Sequence, residues 1–249
     1  METAEYDVMF RNEDAHWWYW GLRDLVLPFV AARAKEQGGA VAVLDAGCGT
    51  GKHLDALRKM GTEALGVELA PAAFEFLRRR GLDGVARASI SRVPFPDQSF
   101  DVVLSTDVVC CIEPPGDGEA LRELARVLKP GGWLVLNLPA YPKLRSSHDE
   151  AVHVRRRFTR ESLRGLLTDA GLRIRTLTYR NTLLFPIAAL VRLAKRGSAS
   201  HAKPASDVAP LPGPVNGLLK LPLSLENRWI RRGGRLPFGL SVFCIAVKP

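Results

Sequence analysis

The chain has 249 residues, 47% of them hydrophobic, which is ample for a packed core and excludes a disordered or fibrous protein. Its 35 basic and 26 acidic residues leave a net charge of +9, a balance that suits an anionic substrate, an anionic membrane surface or nucleic acid without choosing among them. Four cysteines, with only Cys110 and Cys111 adjacent and no CxxC pair, exclude a disulfide framework and a thiolate zinc site, and fit a reducing, cytoplasmic setting.

The acidic N-terminus, with Glu2, Glu5, Asp7, Glu13 and Asp14, lacks the apolar run of a secretory signal. Residues 12–36 then read as an amphipathic helix carrying the aromatic cluster Trp17, Trp18, Tyr19 and Trp20, a lid before the first strand. From 41 to 180 short apolar runs alternate with helical patterns, the rhythm of a parallel sheet with crossover helices. The runs are Val41–Ala46, Ala64–Glu68, Val85–Ala88, Phe100–Thr106, Trp133–Leu138 and Leu172–Thr178; the helices are expected over 51–60, 71–80, 118–128 and 159–170. Thr159 and Ser162 stand where capping residues belong, without the usual Glu or Gln three positions after the cap. Residues 181–236 interrupt the alternation as an insertion: an apolar stretch over 183–193, a Gly/Ser/Ala/Pro-rich linker over 197–214, and a basic end with Arg228, Arg231, Arg232 and Arg235. Within 237–249 the apolar run Leu240–Val247 is expected to return to the main sheet. The whole chain reads as one domain, and no stretch reaches the roughly 18 apolar residues of a spanning helix.

The stretch Asp45-Ala46-Gly47-Cys48-Gly49-Thr50-Gly51 places a carboxylate at the end of a buried strand and three alternating glycines at the start of a helix. A phosphate-binding Walker loop fails at two positions, Ala46 and His53, and the third glycine of a dinucleotide fingerprint would fall at Lys52. Glu68 ends the second strand, where a carboxylate can accept hydrogen bonds from both hydroxyls of a ribose. The passages Arg92-Val93-Pro94-Phe95-Pro96-Asp97-Gln98-Ser99-Phe100-Asp101 and Leu128-Lys129-Pro130-Gly131-Gly132-Trp133 follow in order. Together these four elements resemble the class I S-adenosylmethionine-dependent methyltransferases, with their D/E-x-G-x-G-x-G, LPFPDxSFD and LKPGG motifs. The resemblance implies an α/β fold with a doubly wound, seven-stranded Rossmann-like sheet, an N-terminal helical lid and an insertion before the last strand.

His16-Trp17-Trp18-Tyr19 with Arg23 resembles an N-terminal HWWF…R element found in a small-molecule, ubiquinone-methyltransferase-like subgroup. So do His148-Asp149-Glu150-Ala151-Val152-His153, Tyr179-Arg180-Asn181 and Leu236-Pro237-Phe238-Gly239-Leu240-Ser241. The resemblance implies S-adenosylmethionine as cofactor, with Asp45, Gly47, Cys48, Gly49 and Gly51 shaping its methionine end and Glu68 and Leu69 the ribose site. Ser89 stands where an acidic residue often faces the adenine amino group, so Ser89 and Ile90 are the adenine candidates; Thr106, Trp18 and Arg23 complete the contacts. His148 and His153, in a polar loop after strand five, are the candidate proton acceptors, with Tyr141 third. No metal is implied. Asn137-Leu138-Pro139-Ala140-Tyr141 follows the wrong strand for the amine-methylating box of nucleic-acid enzymes, so nucleic acid is disfavoured.

These features predict methyl transfer to a small-molecule acceptor, whether a natural-product, sugar, anionic or lipid-linked intermediate, with oxygen the favoured atom. Two readings compete: a cofactor-binding protein that has lost turnover, and an oxidoreductase on a related sheet. The stretch over 182–196 and the basic run over 228–235 are expected either to close the acceptor pocket or to make a peripheral membrane contact.

Overall fold

The computed structural model describes residues 1–186, 190 and 211–249. Seven strands form one sheet: β1 (Ala42–Ala46), β2 (Glu63–Glu68), β3 (Val85–Arg87), β4 (Phe100–Thr106), β5 (Leu128–Pro139), β6 (Arg173–Arg180) and β7 (Ser241–Val247). Their order is β3-β2-β1-β4-β5-β7-β6, and β7 runs antiparallel to both of its neighbours while the other pairs are parallel. The last strand thus enters the sheet between β5 and β6 rather than adding to an edge, with Cys244 opposite both Leu136 and Leu177.

The central strands β1, β4, β5 and β7 are buried on both faces along most of their length, and their two-residue period sorts the core. One face carries Val43, Val102, Leu104, Val135, Phe243 and Ile245, which pack under α2 (Trp17–Gln37), α3 (Lys52–Lys59) and α8 (Gly213–Arg231). The other carries Leu44, Val103, Leu134, Leu136, Val242 and Cys244 under α5 (Gly116–Val127) and α7 (Arg160–Asp169). Ser162 replaces the expected Glu or Gln of the α7 cap. Its Oγ accepts from Thr159 N at 3.0 Å while Ser162 N donates to Thr159 Oγ1 at 3.2 Å.

The expected helix over 12–36 is α2, which begins at Trp17, and a separate helix, α1 (Thr3–Asn12), precedes it across a turn at 13–16. His16 ends the turn by accepting from Trp18 N through Nδ1 at 3.3 Å. The turn exists because Glu13 points inward: only 3% exposed, it accepts from Thr50 Oγ1 at 2.6 Å and from Arg80 Nη2 at 2.5 Å. Arg80, at the end of α4 (Ala73–Arg79), also donates to Thr50 O and lies over the Phe10 ring of α1. Burial pushes the Glu13 carboxyl upward, and the Thr50 and Arg80 hydrogen bonds pull against it.

Two passages that resemble family motifs build the end of the sheet away from the strand termini that carry the site. Asp101 accepts from Ala42 N, Gln37 Nε2 and Lys129 Nζ, each at 2.9 Å, and so ties the end of α2 to the starts of β1 and β5. Arg126, beside the Lys129-Pro130-Gly131-Gly132 turn, donates to Asp97 Oδ1 at 2.6 Å and to both oxygens of Glu123. Removing one partner of a buried ion pair leaves the other charge uncompensated, so Glu13→Ala is expected to cost about 3–5 kcal/mol. Urea unfolding of the variant checks this; a loss below about 1 kcal/mol would show that α1 is not anchored through Glu13.

Candidate functional site

The strand order reverses between β1 and β4, and in an open α/β sheet a crevice forms at the carboxyl ends of the strands there. A cavity of about 940 Å³ lies at that point. Its floor comes from the residues at or after the end of each strand: Gly47 to Gly49 after β1, Glu68 and Leu69 around the end of β2, Ser89 and Ile90 after β3, Thr106 and Asp107 around the end of β4. Its roof comes from α1 (Tyr6, Met9) and the first turns of α2 (Trp17, Trp18, Tyr19, Arg23).

Glu68 organises the floor. Its Oε2 accepts from Gly49 N at 2.9 Å, and its Oε1 accepts from Ala70 N at 2.9 Å and from Tyr6 Oη at 3.3 Å. One carboxylate therefore holds the glycine loop, the β2 exit and the roof helix together. Gly49 has φ +55°, and a Cβ there would stand 3.0 Å from the Met9 terminal methyl, so the loop passes directly beneath α1. Gly51 differs: a Cβ would meet Leu82 Cδ1 at 2.4 Å and Leu77 Cδ2 at 2.7 Å, and the residue does not line the cavity. It lets α3 sit close to the chain around α4.

Asp45 is also absent from the cavity wall. It is 2% exposed, its Oδ2 has no hydrogen-bond partner, and burial followed by the Glu68 charge pushes its carboxyl up to about 7. Cys48 lines the cavity, its thiol raised by burial.

Of the expected proton acceptors, His148 and His153 line the cavity and Tyr141 does not. His148 lies on the short helix α6 (Ser147–Ala151), which is held by Asp149: the carboxylate accepts from Ser146 N at 2.7 Å and pairs with Arg157 through Nε at 3.0 Å and Nη2 at 2.8 Å. Both ring nitrogens of His153 are engaged, Nδ1 with the Met1 amino group and Nε2 with Glu2 Oε1, each at 3.0 Å. Tyr141, at φ +55°, stacks on Tyr179 with ring centroids 5.0 Å apart.

Asp107 and His53 are among the cavity residues that were not singled out as site candidates in the sequence. Asp107 follows β4 at φ +59°, and its two oxygens accept from Asn137 Nδ2 at 3.0 and 3.1 Å. Burial raises its carboxyl to about 6 against the opposing pull of Arg180, Asn137 and Arg157. Its position directly after the fourth apolar run was the available signal. His53, next to the glycine loop, has Nε2 buried and unpartnered, and burial together with Arg23 lowers its pKa to about 3, so the ring is neutral. Among the described residues no group of three or more His, Cys, Asp or Glu side chains is arranged to hold a metal ion.

Residues 44–136 match the family model described as "Methyltransferase domain". The whole architecture is similar to a solved methyltransferase from Thermotoga maritima, at 19% identity and a TM-score of 0.56 over 99% of this chain and 96% of that one. The fold is the Rossmann-like methyltransferase fold. Among curated relatives, the demethylmenaquinone methyltransferase of Tropheryma whipplei is 31% identical over 135 residues, 53% of this chain and 51% of that protein. The ubiquinone biosynthesis O-methyltransferase of Bordetella avium is 30% identical over 96 residues, 37% of this chain and 40% of that protein. The chain thus spans about half the length, or less, of the curated relatives it matches. In this methyltransferase fold the matched segment runs from β1 into β5, which includes the glycine loop, Glu68 and Asp107 and excludes α1, α2, α6 and α8.

The unpaired Asp45 gives a pH signature. An acid whose pKa is raised on folding binds its proton more tightly in the folded state, so it costs stability progressively as pH rises from about 4 towards 7. Asp45→Asn is expected to raise Tm of the ligand-free protein more at pH 8 than at pH 5, measured by scanning fluorimetry. Equal shifts at both pH values would show that the carboxylate is satisfied.

Proposed function

We propose that this protein transfers a methyl group from S-adenosylmethionine to a hydroxyl oxygen of a small-molecule acceptor. The observation that carries the reading is Glu68, whose carboxylate clasps the glycine-loop amide at the floor of a cavity large enough for a nucleoside and an acceptor together. The residues present fit the cofactor. Glu68 Oε2 carries a single backbone hydrogen bond, and the longest bond on Oε1, from Tyr6, is the one a ribose hydroxyl would replace. The unpartnered His53 Nε2 and the Arg23 guanidinium offer donors at the other end, suited to the methionine carboxylate. Ser89 and Ile90 would hold the adenine, with Thr106, Trp18 and Leu69 closing around the ribose and sulfur.

When bound, the cofactor supplies an electrophilic methyl on a sulfonium. The protein must then position the acceptor, keep water out and take up the hydroxyl proton. Trp17, Trp18 and Tyr19 line the cavity roof, where they are placed to keep water out. Asp107 and His148 are the groups available to hold the proton, and the Asp107 carboxyl is oriented by the Asn137 amide. His153 is committed to the N-terminus and Tyr141 to its stack on Tyr179, which leaves both less suited to the step. The names of the two curated relatives, a demethylmenaquinone methyltransferase and a ubiquinone biosynthesis O-methyltransferase, support a quinone-type ring compound as acceptor, and the second supports oxygen as the atom methylated.

Calorimetric titration tests the cofactor. Glu68→Ala is expected to weaken S-adenosylmethionine binding by about 1.5–3 kcal/mol for each charge-assisted bond lost. A folded variant with unchanged affinity, or a wild type that prefers a nicotinamide dinucleotide, would overturn the reading. For the chemistry, Asp107→Asn is expected to lower turnover on a hydroquinone acceptor by about 10²–10⁴-fold with cofactor affinity unchanged. Asparagine tolerates the left-handed backbone at that position, which keeps the comparison clean. A His148→Ala variant that loses as much turnover as Asp107→Asn would assign the proton to the imidazole instead.

A further inference from the structure

Helix α8 has two sides of opposite character. One is packed against α2: Leu223, Asn227 and Ile230 are buried, and Asn227 Nδ2 donates to Gly21 O at 2.8 Å. The other carries Val215, Leu218, Leu221, Leu225 and Trp229, between 45% and 66% exposed. At 3.6 residues per turn these positions fall in one stripe, and from 215 to 229 it runs for about 21 Å along the helix. Leu183, Leu190 and Phe238 add exposed apolar surface outside the helix. Most of the apolar stretch expected to make this contact, together with Arg192, Lys195 and Arg196, lies outside the described residues.

The charge around the stripe has one sign. Glu226 is the single acid of α8, and it is 4% exposed, accepting from Leu183 N at 2.6 Å and Thr182 N at 3.2 Å. Arg228, Arg232 and Arg235 are exposed. Arg231 is spent inside the protein, donating to Asp24 O at 2.6 Å, and Lys220 lies over the Trp20 ring. A second copy of this chain would fit the stripe poorly, because α8 carries no exposed acid to answer Arg228 and Arg232 across a pairing of the two helices. Apolar leucines with a tryptophan, flanked by arginines, match the acyl boundary and headgroups of an anionic bilayer. No helix among the described residues is long and apolar enough to cross a membrane, so the contact is parallel to the surface.

We propose that α8 is a monotopic contact helix that seats the protein on anionic phospholipid bilayers through Leu218, Leu221, Leu225 and Trp229. The helix is joined to the cavity roof. Asn216 Oδ1 accepts from Trp17 N at 2.7 Å and its Nδ2 donates to Ala15 O at 2.8 Å, at the turn where the aromatic lid begins. Seating α8 therefore places the lid beside the membrane, and a lipid-soluble acceptor would enter from there. This consequence for the acceptor rests on the methyl-transfer reading; the surface itself does not.

The test is co-sedimentation of the full chain with phosphatidylcholine vesicles, with and without phosphatidylglycerol. Sedimentation is expected with the anionic vesicles at low salt and should fall as salt rises. Leu218→Asp with Leu225→Asp should abolish it, and Arg228→Gln with Arg232→Gln should weaken it about thirtyfold. These side chains face solvent, and circular dichroism checks that the variants fold. No sedimentation of the folded wild type, equal binding to uncharged vesicles, or undiminished binding by the leucine variant would each overturn the proposal. A dimer seen by light scattering that the leucine variant splits, without vesicle binding, would reassign the stripe to pairing between copies. Titration calorimetry with S-adenosylmethionine on the same samples separates the two claims: vesicle binding without cofactor binding removes methyl transfer and leaves the surface standing.

Discussion

The reversal of strand order between β1 and β4 is the constraint on which the rest of this molecule depends. The right-handed crossovers from β1 to β2 and from β4 to β5 run in opposite directions and must place their helices on opposite faces of the sheet, so no crossover helix covers the strand ends where the order reverses. That gap becomes the cavity, and the peptide groups following β1, β2 and β4 are delivered to it by the sheet itself. The deep burial of β1 and β4 on both faces keeps these peptide groups in place, since any shift would disturb two packed layers at once.

An exposed gap over a sheet would be wet, and the N-terminal segment closes it. The closure depends on polar side chains turned inward rather than on apolar contact alone. Glu13 is held by Thr50 and Arg80, Tyr6 rests on Glu68, and His16 starts the aromatic helix. Two of these ties end on the glycine-loop segment or on the carboxylate that holds it. The roof and the floor are thus coupled: displacing Tyr6 from Glu68 frees an acceptor in the floor and loosens α1 in the same event. Asp107 shows the same economy on the other side of the cavity, where the Asn137 amide orients its carboxylate and Asn137 in turn receives a donor from Arg180.

The two passages that follow Glu68 in the family resemblance carry no direct part of the site. Asp101 with Lys129, and Asp97 with Arg126, fasten the opposite end of the sheet, where strands begin. Their resemblance to family motifs reports the fold, because the same turns are needed wherever β4 and β5 must start in register. The glycine loop and Glu68 report the site, because backbone approach and a fixed carboxylate are needed only where something is bound. This separation agrees with the match over 44–136, which contains both kinds of element.

The sequence by itself determined the alternation of strands and helices, the place of the glycine loop and Glu68 at strand ends, and the return of the last strand to the sheet. Each of these is local: a period of two, a run of glycines, a carboxylate at a known distance along the chain. What only tertiary structure decided was set by partners far apart in sequence. The break between α1 and α2 depends on Arg80, the engagement of His153 on the N-terminus, the stacking of Tyr141 on Tyr179, and the solvent-facing side of α8 on which of its faces α2 covers. Asp45 and Gly51 were legible as loop residues, yet only packing placed them behind the cavity wall. Asp107 and His53 did not stand out as site residues for the same reason, since a short polar residue after a strand and a histidine on a first helical turn look alike whether they meet solvent or a cavity. Hydrogen bonds and burial between residues dozens to hundreds of positions apart leave no periodic trace in the chain, and these contacts decide which side chains a ligand would meet.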